Sequence, residues 1–165
     1  MRNNNRGFSL IELIVVVLIM AIVAVALSAA IIKWVNNSRN STDIQTRNSL
    51  RDNVAISLTN DQAFKAVKDG GYQIKITKNS SGVTTYWYDG DLIGGDHTKP
   101  NPANPYWKFL LETTACSDFS EFEKRFSIKS EPSAGQTIAI NVTVYDQGFT
   151  EVNLVGIENE DLDLS

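Results

Sequence analysis

Arg6-Gly7-Phe8-Ser9-Leu10-Ile11-Glu12 introduces the stretch whose reading decides the architecture of this chain. Residues Leu13 to Ile32 follow without a charge, a proline or a glycine, and Ser28 is their only polar side chain. Lys33 and Trp34 close the run. At about 1.5 Å per residue this segment makes a helix of about 30 Å, the hydrocarbon thickness of a bilayer. Glu12 is the one ionisable residue of the apolar block and stands at its mouth, with Arg2 and Arg6 before it. From Asn36 onward the composition is that of a different kind of polypeptide.

Three architectures compete for this beginning. A secretory signal peptide needs a basic start, an apolar core and small residues at a cleavage point, which Ala24-Val25-Ala26 or Ser28-Ala29-Ala30 would supply. Against it, the apolar run is longer than a signal core requires, and Glu12 would lie within that core. A plain membrane anchor accounts for the length. Arg2 and Arg6 then mark a cytoplasmic start by the positive-inside tendency, and Trp34 joins the interfacial aromatic belt. It leaves Glu12 unexplained, because a charge in a spanning segment is costly and ordinarily has a partner.

The third architecture accommodates every feature. Arg6-Gly7-Phe8-Ser9-Leu10-Ile11-Glu12 resembles the processing site of type IV prepilins and the related pseudopilins, in which basic leader, Gly-Phe, glutamate and apolar run coincide. The resemblance covers roughly the first thirty-five residues and implies cleavage by a prepilin peptidase between Gly7 and Phe8. It further implies N-methylation of Phe8 and a role in subunit assembly for Phe8 and Glu12. Residues 1–7 would be the leader, 8–35 the transmembrane and filament-core helix, and 36–165 a globular α+β headpiece that includes the amphipathic half of the helix. The implied partners are identical or related pilin subunits, the peptidase, the assembly machinery in the membrane, and the lipid bilayer before assembly. The implied locations are the inner or cytoplasmic membrane first and an extracellular filament afterwards. Many pilins carry a glycine and, further on, a proline that unwind part of this helix. Ala21 and Ala29 occupy the corresponding positions here, which predicts a more continuous helix.

The role of Glu12 also follows from electrostatics. Cleavage after Gly7 creates an ammonium at the start of an apolar helix, where the helix dipole already places partial positive charge. Glu12 is the nearby acid that can neutralise it. Between two helices offset along their axes, the carboxylate of one meets the ammonium of the other. At about 4 Å and an effective dielectric of about 20 the attraction is on the order of 4 kcal/mol before desolvation. An unpaired acid in an apolar bundle costs several kcal/mol, so the pair sets register as much as affinity.

Beyond the apolar block, about 130 residues remain, enough for a modest core. The formal charge of −4 opposes generic nucleic-acid binding, which requires a basic surface. Ile44, Leu50, Val54 and Leu58 recur at helical spacing, predicting that one long helix, frayed between Asn36 and Thr42, continues as an amphipathic segment. Thr59 and Gln62 form a capping-box pattern for a short helix ending before Asp69-Gly70-Gly71. Alternation predicts strands over Tyr72–Ile76 and Val83–Tyr88, joined by a turn at Asn79-Ser80-Ser81-Gly82. Asn104-Pro105 starts a helix over Tyr106–Glu112. Phe126 and Ile128 mark a third strand, and Gln136–Tyr145 and Phe149–Ile157 two more, around a turn at Asp146-Gln147-Gly148. The predicted fold is α+β and type IV pilin-like, a long N-terminal helix packed on an antiparallel β-meander. The acidic tail Glu158–Ser165 is expected to be exposed.

Catalysis has little support in these residues. His97 is the only histidine and Cys116 the only cysteine, so no intramolecular disulfide forms, and nothing in the sequence orients the two as a dyad. A core thiol is the expected role of Cys116. Asp89, Asp91 and Asp96 offer oxygen ligands for calcium, but their spacing is not that of an EF-hand loop and Asp-Gly pairs belong to turns. Tyr86, Trp87, Tyr88, Tyr106 and Trp107 suit either an adhesive aromatic surface or cross-strand packing, with packing the expectation. A non-enzymatic filament subunit without cofactor or metal is therefore expected, whether pilus subunit, minor pilin or secretion pseudopilin. A membrane-anchored extracytoplasmic binding domain is the alternative of a different class.

Overall fold

Between Gly7 and Gly70 the chain holds neither glycine nor proline, so nothing in its backbone chemistry interrupts a helix. The computed structural model describes residues 9–68, 71–90, 100–101, 103–145, 148 and 150–156. In it, helix α1 runs unbroken over Leu10–Ser57. The fraying expected between Asn36 and Thr42 is absent. The Asn- and Ser-rich run reads locally as a linker, yet its hydrogen bonds are completed within the helix, with no proline to end it. The chain divides into two compact units, Met1–Ser38 and Arg39–Ser165.

In the first unit every described apolar residue from Leu10 to Ile32 is exposed, the large ones from 43% at Val16 to 75% at Leu10 and Val25. Ser28, the lone polar residue of the run, returns its hydroxyl to the Val25 carbonyl at 2.8 Å, which removes its demand for an outside partner.

The second unit is built on a four-stranded antiparallel sheet. Its strands are β1 (Tyr72–Asn79), β2 (Thr84–Gly90), β3 (Thr137–Val144) and β4 (Thr150–Val155), in spatial order β2-β1-β3-β4. The two hairpins follow the expected alternation. The strict meander does not, because after β2 the chain passes through two helices and returns to pair β3 with β1. Tyr72 lies opposite Val144, Ile74 opposite Val142 and Ile76 opposite Ile140. These side chains and Tyr88 form one buried face, on which Leu50 and Val54 of α1 contribute to the same core. Ile44 and Leu58, expected on that stripe, are half-buried.

Helices α2 (Asp61–Val67), α3 (Pro105–Thr113) and α4 (Phe119–Arg125) complete the core. The cap of α2 is Asn60, whose side chain accepts from the Gln62 and Ala63 amides at 2.9 and 3.3 Å. Thr59, expected to cap it, instead donates to the Ile56 carbonyl as α1 ends. Asn104 caps α3 as its Asn-Pro start implies. The strand expected at Phe126 and Ile128 does not form; helix α4 ends just before them. Asp118 accepts from the Glu121 amide at 2.8 Å, and Glu121 accepts from the Ser117 amide at 2.8 Å, so polar groups close the first turn. Phe126 and Ile128 are buried after the helix, on irregular backbone rather than in the sheet.

Aromatic rings fill the space between α3, α4 and the sheet. Trp107 meets Tyr72, Tyr88, Tyr106 and Phe119 at centroid distances of 5.1, 5.9, 5.1 and 5.7 Å, all edge-on. Tyr86 donates to the Glu123 carbonyl and Tyr88 to the Glu123 carboxylate, docking α4 on β2. Burial, assisted by the negative charge of Glu123, pushes the Tyr86 hydroxyl up to about 12. Tyr88 moves further in the same direction, chiefly through burial. Cys116 is buried, as a core thiol should be.

Candidate functional site

The helix start is built from four consecutive residues. Ser9 precedes the first helical position, Leu10, and its carbonyl accepts from the Leu13 amide at 3.2 Å. Glu12 lies in the first turn, and its carboxylate accepts from the Ser9 amide at 2.8 Å. Ser9-Leu10-Ile11-Glu12 is thus half of a capping box, in which the third helical residue satisfies the backbone donor at the cap. The negative charge also faces the positive end of the helix dipole. This local role was legible as an S-x-x-E pattern but is masked in the sequence by the more conspicuous apolar run. Glu12 is exposed, so the carboxylate that closes its own helix is also accessible from outside. Gly7 and Phe8 lie outside the described residues.

Past Glu12 the helix offers only hydrocarbon until Ser28. Among the described residues α1 is the one helix long and apolar enough to cross a membrane. Trp34 is 71% exposed just beyond the run, beside Lys33, which is the pairing favoured at a lipid–water boundary.

Residues 2–28 match the family model described as the prokaryotic N-terminal methylation motif. The chain carries the prepilin-type signature. That signature marks the cleavage site of type IV pilin and pseudopilin precursors, and it coincides with the start of α1. Neither a curated protein nor a solved structure matches the chain. The long apolar helix of this chain, followed by a four-stranded antiparallel sheet, is an α+β arrangement like that of type IV pilins.

The other sequence-derived candidates are dispersed. His97, Asp91 and Asp96 lie outside the described residues, so the dyad with Cys116 and the three-aspartate calcium site are not assembled among those that are described. Asp89 sits near the end of β2 and accepts from the Gly90 amide at 2.9 Å. Among the described residues no cluster of three His, Cys, Asp or Glu side chains could hold a metal ion. The aromatic group divides: Tyr88, Tyr106 and Trp107 are core, Tyr86 is half-buried, and Trp87 faces outward.

One polar constellation of the headpiece has no simple sequence signal. Asp43, on α1, is fully buried. Its two oxygens accept from the Lys129 and Ser130 amides at 2.7 and 2.8 Å. Ser130 donates its hydroxyl to Asn40, at 2.7 Å. Next to it, Glu131 pairs with Lys78 at 3.1 Å and Arg39 at 3.5 Å. The segment after α4 is thereby fastened to α1 and to the end of β1.

Proposed function

We propose that the chain is the precursor of a structural subunit of a type IV pilus, cleaved after Gly7, methylated at Phe8 and polymerised through its apolar helix. The observation that carries this reading is the methylation motif over residues 2–28, running directly into a helix whose apolar side chains are exposed throughout. Such a surface requires a nonaqueous environment. Lipid provides one before assembly and a bundle of the same helices provides one afterwards. Since the two are similarly apolar, passage between them costs little hydrophobic free energy, and packing together with polar pairing selects the arrangement. Glu12 is the residue for that pairing. In the precursor it closes the first turn through Ser9. After cleavage, its exposed carboxylate meets the methylated ammonium of Phe8 on a neighbouring subunit. A plain anchor has no need of this acid.

Mass spectrometry of the native protein tests the processing: the N-terminus should be a methylated Phe8. An intact Met1, or a start near Ala30, would overturn it. Glu12→Ala should preserve cleavage yet prevent incorporation into filaments; normal filaments from this variant would refute the pairing. Fractionation of sheared surface filaments distinguishes the subunit classes. A dominant band of this chain identifies a pilus subunit, whereas a trace component or retention in the membrane identifies a minor pilin or a secretion pseudopilin.

A further inference from the structure

The part of α1 that lies in the second unit meets the rest of that unit in two zones of different chemistry. Leu50 and Val54 are fully buried in the hydrophobic core, and Leu58, just past the helix, packs against it. No residue from 39 to 49 belongs to that core, and Ile44, the one aliphatic side chain of this stretch, is half-buried. Polar groups fasten the stretch instead. Asn40 accepts from the Ser130 hydroxyl at 2.7 Å, and Asp43 accepts from the Lys129 and Ser130 amides at 2.7 and 2.8 Å. Arg39 pairs with Glu131 at 3.5 Å. The receiving segment is also held independently of α1. Phe126 and Ile128 anchor it in the core, and Glu131 pairs with the buried Lys78 at 3.1 Å.

The same stretch is poorly suited to a helix. Seven of its eleven residues are Asn, Asp, Ser or Thr. Such side chains hydrogen-bond nearby backbone in non-helical conformations and so compete with the helical ladder. Little apolar burial offsets the entropy of ordering them, so the contacts to Lys129, Ser130 and Glu131 supply the difference. When those contacts open, water solvates the polar groups they joined. Releasing Leu50 and Val54 would instead expose apolar surface, which costs more. The boundary between the two compact units falls between Ser38 and Arg39, where the stretch begins.

We propose that residues 39–49 are a polar hinge, helical while Arg39, Asn40 and Asp43 hold the segment after α4, and melting as one unit, with the core intact, when those contacts open. Closure and helical order are one event. Arg39, Asn40 and Asp43 reach the same short segment because helical spacing of three and four residues puts them on one face. Melting lengthens the eleven residues from about 16 Å to as much as about 37 Å. A pull along α1 is therefore taken up in this stretch before it reaches the core, as expected of the part with the lowest local stability. On release, the receiving segment is still anchored by Ile128 and Lys78, so the helix re-forms against a surface already in place. The proposal concerns a link within the chain and stands apart from the filament reading.

Native-state hydrogen exchange of the full chain in detergent micelles, read amide by amide by NMR, tests it. The amides of residues 44–49 and those of Lys129 and Ser130 should exchange together. Their protection should be at least about tenfold below that of Ile76 and Ile140 in the two central strands. Asn40→Ala removes one of the fastening contacts and should speed both groups about fivefold. Ser41→Ala combined with Ser49→Ala, at two exposed positions, favours the helix and should slow both groups about fivefold. Contacts that opened with the helix intact would leave Lys129 and Ser130 indifferent to those alanines. The proposal is overturned if residues 44–49 are as protected as Ile76 and Ile140, or if Lys129 and Ser130 exchange without them. It is overturned equally if either variant leaves both groups unchanged.

Discussion

Replacing Asp43 with alanine removes the acceptor of two amides that lie 86 and 87 residues away in the chain. Both oxygens are used, at 2.7 and 2.8 Å, and the side chain is fully buried, so water cannot take over without opening the fold. Leaving a buried donor unpaired costs about 1–3 kcal/mol, which two donors double, while release from burying a carboxylate offsets a part. The expected net loss is about 3 kcal/mol, a large share of the roughly 5–15 kcal/mol that stabilises an ordinary domain. For a headpiece of this size that lowers the melting temperature by about 10 °C. Asp43→Asn should recover only part of the loss, because its NH2 group opposes one of the two amides. Near-ultraviolet circular dichroism of the aromatic core follows the melt. Hydrogen exchange at Lys129 and Ser130 locates the effect, since these two amides should lose protection first. Asp52→Ala provides the comparison: its side chain is 62% exposed and paired, among the described residues, with adjacent Arg51, so the change should stay within about 0.5 kcal/mol. The reasoning is refuted if Asp43→Ala melts like Asp52→Ala, or if the Lys129 and Ser130 amides exchange as slowly as before.

Four further outcomes are expected. Gly71 adopts φ +61°, and a Cβ there would approach the Val144 carbonyl oxygen to 2.5 Å; Gly71→Ala should cost at least about 2 kcal/mol in urea unfolding. Gly82→Ala, at φ +77° with open space around it, should cost about 1 kcal/mol. The hydroxyl of Tyr86 is raised from 10.0 to about 12, so unfolded chains lose this proton first and stability falls as pH rises through that window. Stability should be unaffected by this group below pH 10.0, and Tyr86→Phe should make the alkaline decline shallower in urea midpoints measured against pH. Finally, Asn104→Ala removes the acceptor of the Tyr106 amide at the start of α3 and should lower stability by about 1 kcal/mol, read by thermal melting.

Much of the fold follows from local patterns. The absence of glycine and proline between Gly7 and Gly70 permits the long helix, and alternation in Tyr72–Ile76 and Ile138–Val144 marks two central strands. Asn104-Pro105 announces α3 because capping chemistry acts within a few residues. Local signals also mislead where two are available. Phe126 and Ile128 alternate like a strand, yet Asp118 and Glu121 had already committed the preceding residues to a helical turn. Thr59 offers a hydroxyl at the right offset, but neighbouring Asn60 supplies the side-chain carbonyl oxygen to which the two free amides donate.

The processing motif and the membrane-length helix are thus properties of the sequence alone, because cleavage recognition and hydrocarbon thickness read contiguous residues. The pairing of β1 with β3 and the burial of Asp43 belong to the tertiary structure. Each joins residues from distant parts of the chain, and only the register of the folded sheet or the docking of a loop decides which polar groups meet. Asp43 shows the difference most plainly. On paper it is one acid in a polar run that reads as a linker; folded, it is the acceptor on which the segment after α4 closes.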